Sequence, residues 1–536
     1  MADTDDTSRR APESEPRFVA LKDASLILGL QFFLMIFRLG QIPLIGPDEP
    51  RYARVAVEMA RANEFVTPTL AGEAWLEKPP LYYWLAGFGY WMLGENETAA
   101  RVPAVLAALV MTGFTGLVAA RLFGAGCGRI AMLILATSPL VFAYGRAATM
   151  DMLVAAFITG ASGLFILSIL GISGPSAIPA AWGLMGIAVL AKGPIGFLIP
   201  LCIGVVMSLA LRRFAVSRLV TPLAIAFLAA IALPWFVAIY LDQGFHFIEV
   251  FILNHNLQRF TSTVHNHPGP FYYYIPVLLL GVFPWSGLAA LAPGATRKMT
   301  HETKWALGAW ILVPLILFSL AGSKLPGYIL PCLPPFAILL AVGARDLRPH
   351  DQQKAAFRIA GLVGLIISAL LLAASLRAMR DGLPWGRSAL APSAWALALT
   401  FFVSRSLDIE RARAESLRLL SIGAAGFLLL LTLVAPPVLE AMESGRRLFL
   451  PANGREVVVV GAWRTAWMSG YFYNNGKVRE LGKDEPMSVE AGETRLVLFG
   501  PVEWEKVQSS AQFSVLQLAR GPRGNVLAKV SNRSGH

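Results

Sequence analysis

Long apolar runs separated by short polar breaks make up most of this chain. They fall near 24–44, 101–121, 129–147, 150–170, 177–192, 194–211, 219–240, 271–292, 304–322, 326–343, 356–376, 389–404 and 417–436. Each approaches the roughly 17–25 residues that a helix needs to cross the hydrocarbon of a bilayer, so the pattern predicts about thirteen spanning helices. A further run at 81–94 (LYYWLAGFGYWMLG) is shorter and rich in Trp and Tyr. Aromatic residues of this kind settle at the membrane–water boundary, and the segment reads as interfacial. Pro326, Pro331, Pro334 and Pro335 crowd one run. They predict an interrupted helix that borders a cavity, because a broken helix facing lipid would leave backbone groups without partners.

Composition agrees with this membrane reading. The 536 residues are 55% hydrophobic and 15% charged, with a mean hydropathy of +0.57, whereas soluble domains carry about 25% charged residues. A net charge of +12 would suggest nucleic acid in a soluble protein. Here the Lys and Arg residues collect in alternate short loops, as cytoplasmic loops do, so nucleic acid is excluded as a partner. Placing the N-terminus in the cytoplasm puts Arg121 and Arg129 on that side, followed by Arg212, Arg213 and Arg218, then Arg297, Lys298 and Lys304. Arg345, Arg348, Lys354 and Arg358 continue the series, and Arg405, Arg411, Arg413 and Arg418 end it. Counting 81–94 as a crossing would invert every later loop. Cys127, Cys202 and Cys332 imply neither a disulfide framework nor a zinc site.

Three parts follow. Residues 1–22 are polar and read as a disordered cytoplasmic tail. Residues 23–438 form the transmembrane domain, with a long first outer loop at 45–100. Residues 439–536 form an outer α/β domain, with strand-like runs at Val457–Val460 and Leu496–Phe499 and turns at Asn453-Gly454 and Asn475-Gly476.

The chemistry concentrates at the outer ends of the runs. Asp48 and Glu49 follow the first run directly, with Arg51 and Arg54 behind them and Glu77 and Lys78 further along the same loop. Asp151 opens a span between two methionines, where it is either a helix N-terminal carboxylate favoured by the macrodipole or part of a site. Lys192, Arg259, Lys324 and Tyr328 fall on the same side. Ionisable groups at membrane depth are expensive and usually functional. Carboxylates can orient or deprotonate an acceptor, and Lys, Arg and Tyr can hold a phosphate. A lipid-phosphate sugar donor needs both kinds of group.

The Asp48-Glu49 pair, Lys78-Pro79-Pro80-Leu81-Tyr82-Tyr83-Trp84, Asp151, AKGPIG around Lys192 and SKLPGYILPCLPP around Lys324 together resemble the bacterial aminoarabinose transferases. These are GT-C membrane glycosyltransferases related to the protein O-mannosyltransferases. The resemblance covers about 30–345 and thins afterwards to shared topology. It implies an all-α GT-C bundle with a small outer α/β domain, in a bacterial inner membrane with the active site facing the periplasm. It also implies transfer of a sugar from a polyprenyl-phosphate donor to lipid A, lipopolysaccharide or another envelope acceptor. Asp48 and Asp151, with Glu49 beside them, would be the catalytic acids. Lys78, Arg51, Arg259, Lys324 and Tyr328 would hold the donor phosphate. No cofactor is required on this reading, and a divalent metal would sit between Glu77 and His255. Two other readings stay open. One is a protein O-mannosyltransferase acting on exported proteins. The other is a lipid or sugar transporter or flippase, although the paired halves typical of transporters are not seen in the sequence.

Overall fold

The computed structural model describes residues 17–212, 214–258, 269–345, 351–383, 386–408, 413–482, 485, 487–490 and 493–533. The chain enters the bundle on helix α1 (Arg17–Ile36), which begins within the stretch 1–22 read as a tail; residues 1–16 lie outside the described residues. The first outer loop is structured. It holds the amphipathic helix α2 (Asp48–Ala62), a hairpin of β1 (Thr69–Leu70) and β2 (Glu73–Ala74), and helix α3 (Leu81–Leu93). Tyr82, Tyr83 and Tyr90 of α3 are buried against the protein, while Phe88 and Trp91 are exposed, Trp91 by 81%. One inward aromatic face and one outward apolar face suit a helix lying at the bilayer boundary.

Helix α4 (Glu97–Phe123) is started by Asn96, whose side chain accepts the Ala99 N–H at 3.0 Å, and is ended at Gly124, where φ is +89°. Among the described residues, eight helices are long and apolar enough to cross a membrane. Two bent pairs raise that number to ten, and three shorter apolar helices lie at Ala177–Lys192, Ile195–Leu211 and Leu390–Phe401. These elements fall on the thirteen runs read from the sequence, but not all are straight spans. The run 129–147 bends by 61° between Ala125–Ala136 and Pro139–Gly145, because Ser138 before the proline is held extended. The run 271–292, expected as one crossing, instead turns by 114° between Tyr274–Gly281 and Trp285–Lys298. Pro284 at that break has no N–H with which to continue the first helix.

Small residues let the helices close on each other. A Cβ on Gly128 would stand 2.7 Å from the Gly116 carbonyl oxygen, so glycine is required where Ala125–Ala136 meets α4. The proline-rich run is an interrupted helix as the sequence predicts: a 3-10 turn, Pro326–Cys332, passes into the α-helix Leu333–Arg345. This segment is almost wholly inside the protein.

The C-terminal unit is a five-stranded sheet of β3 (Val457–Val460), β4 (Val478–Glu480), β5 (Thr494–Phe499), β6 (Phe513–Arg520) and β7 (Val526–Asn532). Its order is β4-β3-β5-β7-β6. β3 is parallel to β4 and β5, while β7 is antiparallel to β5 and β6. Parallel strands need both faces covered. Leu448, Phe449 and Trp467 pack on one face of the sheet, and Trp504 and Val507 on the other. Asn453-Gly454 and Asn475-Gly476 have positive φ at both residues, the conformation that this turn sequence favours.

Candidate active site

The loop leading into α2 is fixed by two buried arginines. Arg101, in the second turn of α4, donates to the carbonyls of Leu39 (3.1 Å), Ile42 (2.5 Å) and Pro43 (2.7 Å). Its remaining N–H groups grip Glu49 at 3.1 and 2.8 Å. Arg146 donates to the carbonyls of Leu34, Met35 and Phe37, which α1 leaves without intrahelical partners at its end. Glu49 is fully occupied. Besides Arg101 it accepts the N–H of Ile45 at 2.8 Å and that of Ala148 at 2.6 Å. The Arg101 and Glu49 side chains are 1% and 5% exposed.

Asp48 stands next to this brace but faces outward, with its side chain 44% exposed and paired to Arg51 at 2.5 Å. Arg51 also donates to the Pro47 carbonyl at 2.8 Å and stacks over Trp75, 5.1 Å from the ring centroid. Burial works against the Arg51 charge, yet Tyr52, Asp48 and Glu77 around it carry its pKa above the ordinary value. Glu58 on α2 accepts from the Thr69 hydroxyl and from the N–H groups of Ala71 and Gly72. The β1–β2 hairpin is thereby fastened to α2, and the strand leaving it delivers Glu77 and Lys78.

Lys78 reaches a cavity whose other polar lining residues are Asp151, Lys192, Ser323 and Tyr328. Its walls are apolar: Val154, Ile158, Ile195, Ile199, Phe318 and Pro331. Asp151 is the first residue of the helix Asp151–Ile169, and its carboxylate pairs with Lys192 at the end of Ala177–Lys192. The Lys192 ammonium also lies over the Tyr328 ring, 5.0 Å from its centroid. Gly327 is required here, because a Cβ would come within 2.5 Å of the Tyr144 ring. The lining is amphipathic: two cations and one carboxylate are set among aliphatic and aromatic walls.

A family model for dolichyl-phosphate-mannose-protein mannosyltransferases matches residues 77–240. The chain is 34% identical over 359 residues to an undecaprenyl phosphate-α-4-amino-4-deoxy-L-arabinose arabinosyl transferase of Edwardsiella ictaluri, covering 64% of this chain and 63% of that one. An Aeromonas salmonicida protein of the same name is also 34% identical, covering 64% and 65%. In three dimensions the fold matches the crystal structure of ArnT from Cupriavidus metallidurans bound to undecaprenyl phosphate, with a TM-score of 0.78 and 22% identity over 96% of this chain and 98% of that one. The fold is of GT-C type, and the chain is similar in sequence to the aminoarabinose transferases. The matched region spans just under two thirds of the curated relatives' own length.

As a GT-C fold, the structure separates the residues named from sequence. Lys78, Asp151 and Tyr328 meet in one cavity. Lys324 stands beside it, buried, donating to the Ala321 carbonyl at 2.8 Å. Asp48 and Arg51 form a pair at the foot of α2 and are not among the cavity's lining residues. Glu49, expected beside Asp48 in the reaction, has a different setting: both its oxygens are spent on the brace. Arg259 and the side chain of His255 lie outside the described residues. Among the described residues there is no group of three or more His, Cys, Asp or Glu that could hold a metal.

The sequence reading left out Arg101 and Arg146 and gave Lys192 no defined role. A signal was available for the two arginines. Both sit at outward ends of apolar runs, where the positive-inside rule gives no reason for a basic residue.

Proposed function

We propose that the protein transfers a sugar from a polyprenyl-phosphate donor to a lipid A or lipopolysaccharide acceptor, on the periplasmic face of a bacterial inner membrane. One observation carries this reading: the cavity joins aliphatic walls to Lys78 and Lys192. An isoprenoid chain needs the walls and its phosphate needs the ammonium groups. The solved relative bound to undecaprenyl phosphate supports the same donor class.

In this reading the acceptor oxygen attacks the anomeric carbon as the bond from that carbon to the phosphate oxygen breaks. The electron pair leaves with the polyprenyl phosphate, and Lys78 and Lys192 stabilise its growing charge. Asp151 holds the Lys192 ammonium in place. Arg259, Lys324 and Tyr328 complete the phosphate-binding set, and Arg51 fixes Asp48. For a hydroxyl acceptor, Asp48 takes the proton; for a phosphate acceptor, already anionic, it orients the group. We assign no cofactor to the step, because Lys78 and Lys192 can supply the positive charge it needs.

The N-terminus lies in the cytoplasm. The transmembrane domain ends near residue 438, and residues 439–536 form a periplasmic domain. The test is transfer of a radiolabelled sugar from undecaprenyl phosphate to lipid A in proteoliposomes. Failure with lipid A, but transfer to a serine- or threonine-bearing exported protein, would replace this reading with that of a protein O-mannosyltransferase. The family-model match over residues 77–240 favours that second reading.

A further inference from the structure

The short helix Gly470–Tyr473 and the turn after it lie across α2, carrying part of the C-terminal domain onto the first outer loop. The Tyr473 hydroxyl accepts the Leu44 N–H at 2.8 Å and donates to Glu97 at 3.0 Å. Arg446 holds the same Glu97 at 3.4 Å and Glu440 at 3.0 Å. A second contact follows at once, where the Asn475 side chain accepts from Arg54 of α2 at 3.4 Å.

Leu44 sits inside the segment that the buried brace organises. The carbonyls of Ile42 and Pro43 on one side are held by Arg101, and the Ile45 N–H on the other is held by Glu49. The transmembrane domain therefore ties its own loop at every neighbouring position, and the Leu44 N–H is tied by the C-terminal domain instead. Asp48 begins α2 just beyond this point.

We propose that Tyr473 is a positioning residue through which the C-terminal domain sets the approach of Asp48 to the acceptor. This rests on the function proposed above. Without the hydroxyl, the loop keeps Arg101 and Glu49 and the fold survives. The Leu44 amide is then released, and the start of α2 moves more freely. A displacement of about 1 Å at a reacting group can cost roughly 100-fold in rate. The donor, held in the cavity by Lys78 and Lys192, binds as before.

The experiment is Tyr473→Phe in the full chain, which keeps the ring and removes both hydrogen bonds. Two results are expected: faster deuterium exchange in a peptide covering 42–49, and a fall in kcat of at least ~10-fold with the donor KM unchanged. A purely structural tyrosine would lower the melting temperature without this split. Should the variant fail to accumulate, deuterium exchange of the wild-type full chain decides instead: a peptide covering 42–49 that exchanges as fast as an unprotected loop overturns the proposal. Unchanged exchange at 42–49 overturns the proposal, as does a kcat equal to that of the wild type. A wild-type protein inactive with every polyprenyl donor would overturn the proposed function alone, since the exchange readout does not depend on turnover.

Discussion

Glu49 accepts the backbone N–H of Ala148 at 2.6 Å, just ahead of the helix that Asp151 begins. One carboxylate thus joins the loop carrying Asp48 to the turn carrying Asp151, across 99 residues of sequence. Arg101 neutralises that carboxylate inside the protein, so the two segments are fixed to each other at a buried point.

The first prediction concerns that brace. Breaking a buried pair leaves an uncompensated charge and costs about 3–5 kcal/mol, whereas replacing both members with apolar residues is often neutral. Glu49→Ala should therefore lower thermal stability sharply, but Glu49→Leu combined with Arg101→Met should not recover it, because the carbonyls of Leu39, Ile42 and Pro43 and the N–H groups of Ile45 and Ala148 would lose their partners as well. Melting curves in detergent decide the matter. An inactive Glu49→Ala protein that melts like the wild type would return Glu49 to the catalytic group.

Lys78 and Lys22 test the cavity. Lys78 lines it, while Lys22 lies exposed on α1. Losing a charge-assisted contact that strengthens in the transition state should cost on the order of 2–4 kcal/mol. Lys78→Ala should accordingly turn over hundreds-fold more slowly, with Lys22→Ala near normal. Equal rates for the two would remove Lys78 from the phosphate site.

The contact of Tyr473 with Leu44 places the C-terminal sheet at the same end of the bundle as the first loop. A periplasm-dependent reporter fused after His536 should be active, and one fused before Met1 should be silent. An inactive C-terminal fusion of a stably inserted protein would change the parity of the crossings.

Much of this architecture was legible in the sequence because a bilayer imposes a simple rule: an apolar run of the right length becomes a helix. Asp151 and Lys192 were visible as charges at outward ends of such runs. Their pairing was not, because they lie 41 residues apart and only helix packing brings them together. The buried setting of Glu49 was not legible for a related reason. Its neighbour Asp48 carries the same charge in the same sequence, and burial alone separates the two. The sheet was half-read: the valine run Val457–Val460 is continuous and apolar, but β6 alternates and is largely exposed, so periodicity gave it little contrast. The bend at Pro284 was hidden inside a run whose length already satisfied the rule for a single span.

The last prediction sets Asp48 against Asp151. The sequence resemblance makes both of them catalytic acids. The structure places Asp151 in the cavity, paired with Lys192, and Asp48 at the foot of α2 with Arg51. Any coupling between them must therefore run through bound substrate or through the Glu49–Ala148 link. Asp48→Asn and Asp151→Asn should each cripple transfer while the protein stays folded, because asparagine keeps the shape and removes the charge. If both acids act on one bound donor–acceptor pair, the losses should be non-additive, since residues that work as a unit share one loss. The competing account makes Asp151 only a favourable charge at a helix N-terminus. That role is worth about 0.3–1 kcal/mol, so Asp151→Asn would then be almost silent. The measurement is transfer of labelled sugar in proteoliposomes by both single variants and the double variant, with melting temperatures checked for each. Full activity in Asp151→Asn would reduce that residue to the end of a helix. Strict additivity would leave both acids needed but acting in separate steps, Asp151 on the donor through Lys192 and Asp48 on the acceptor.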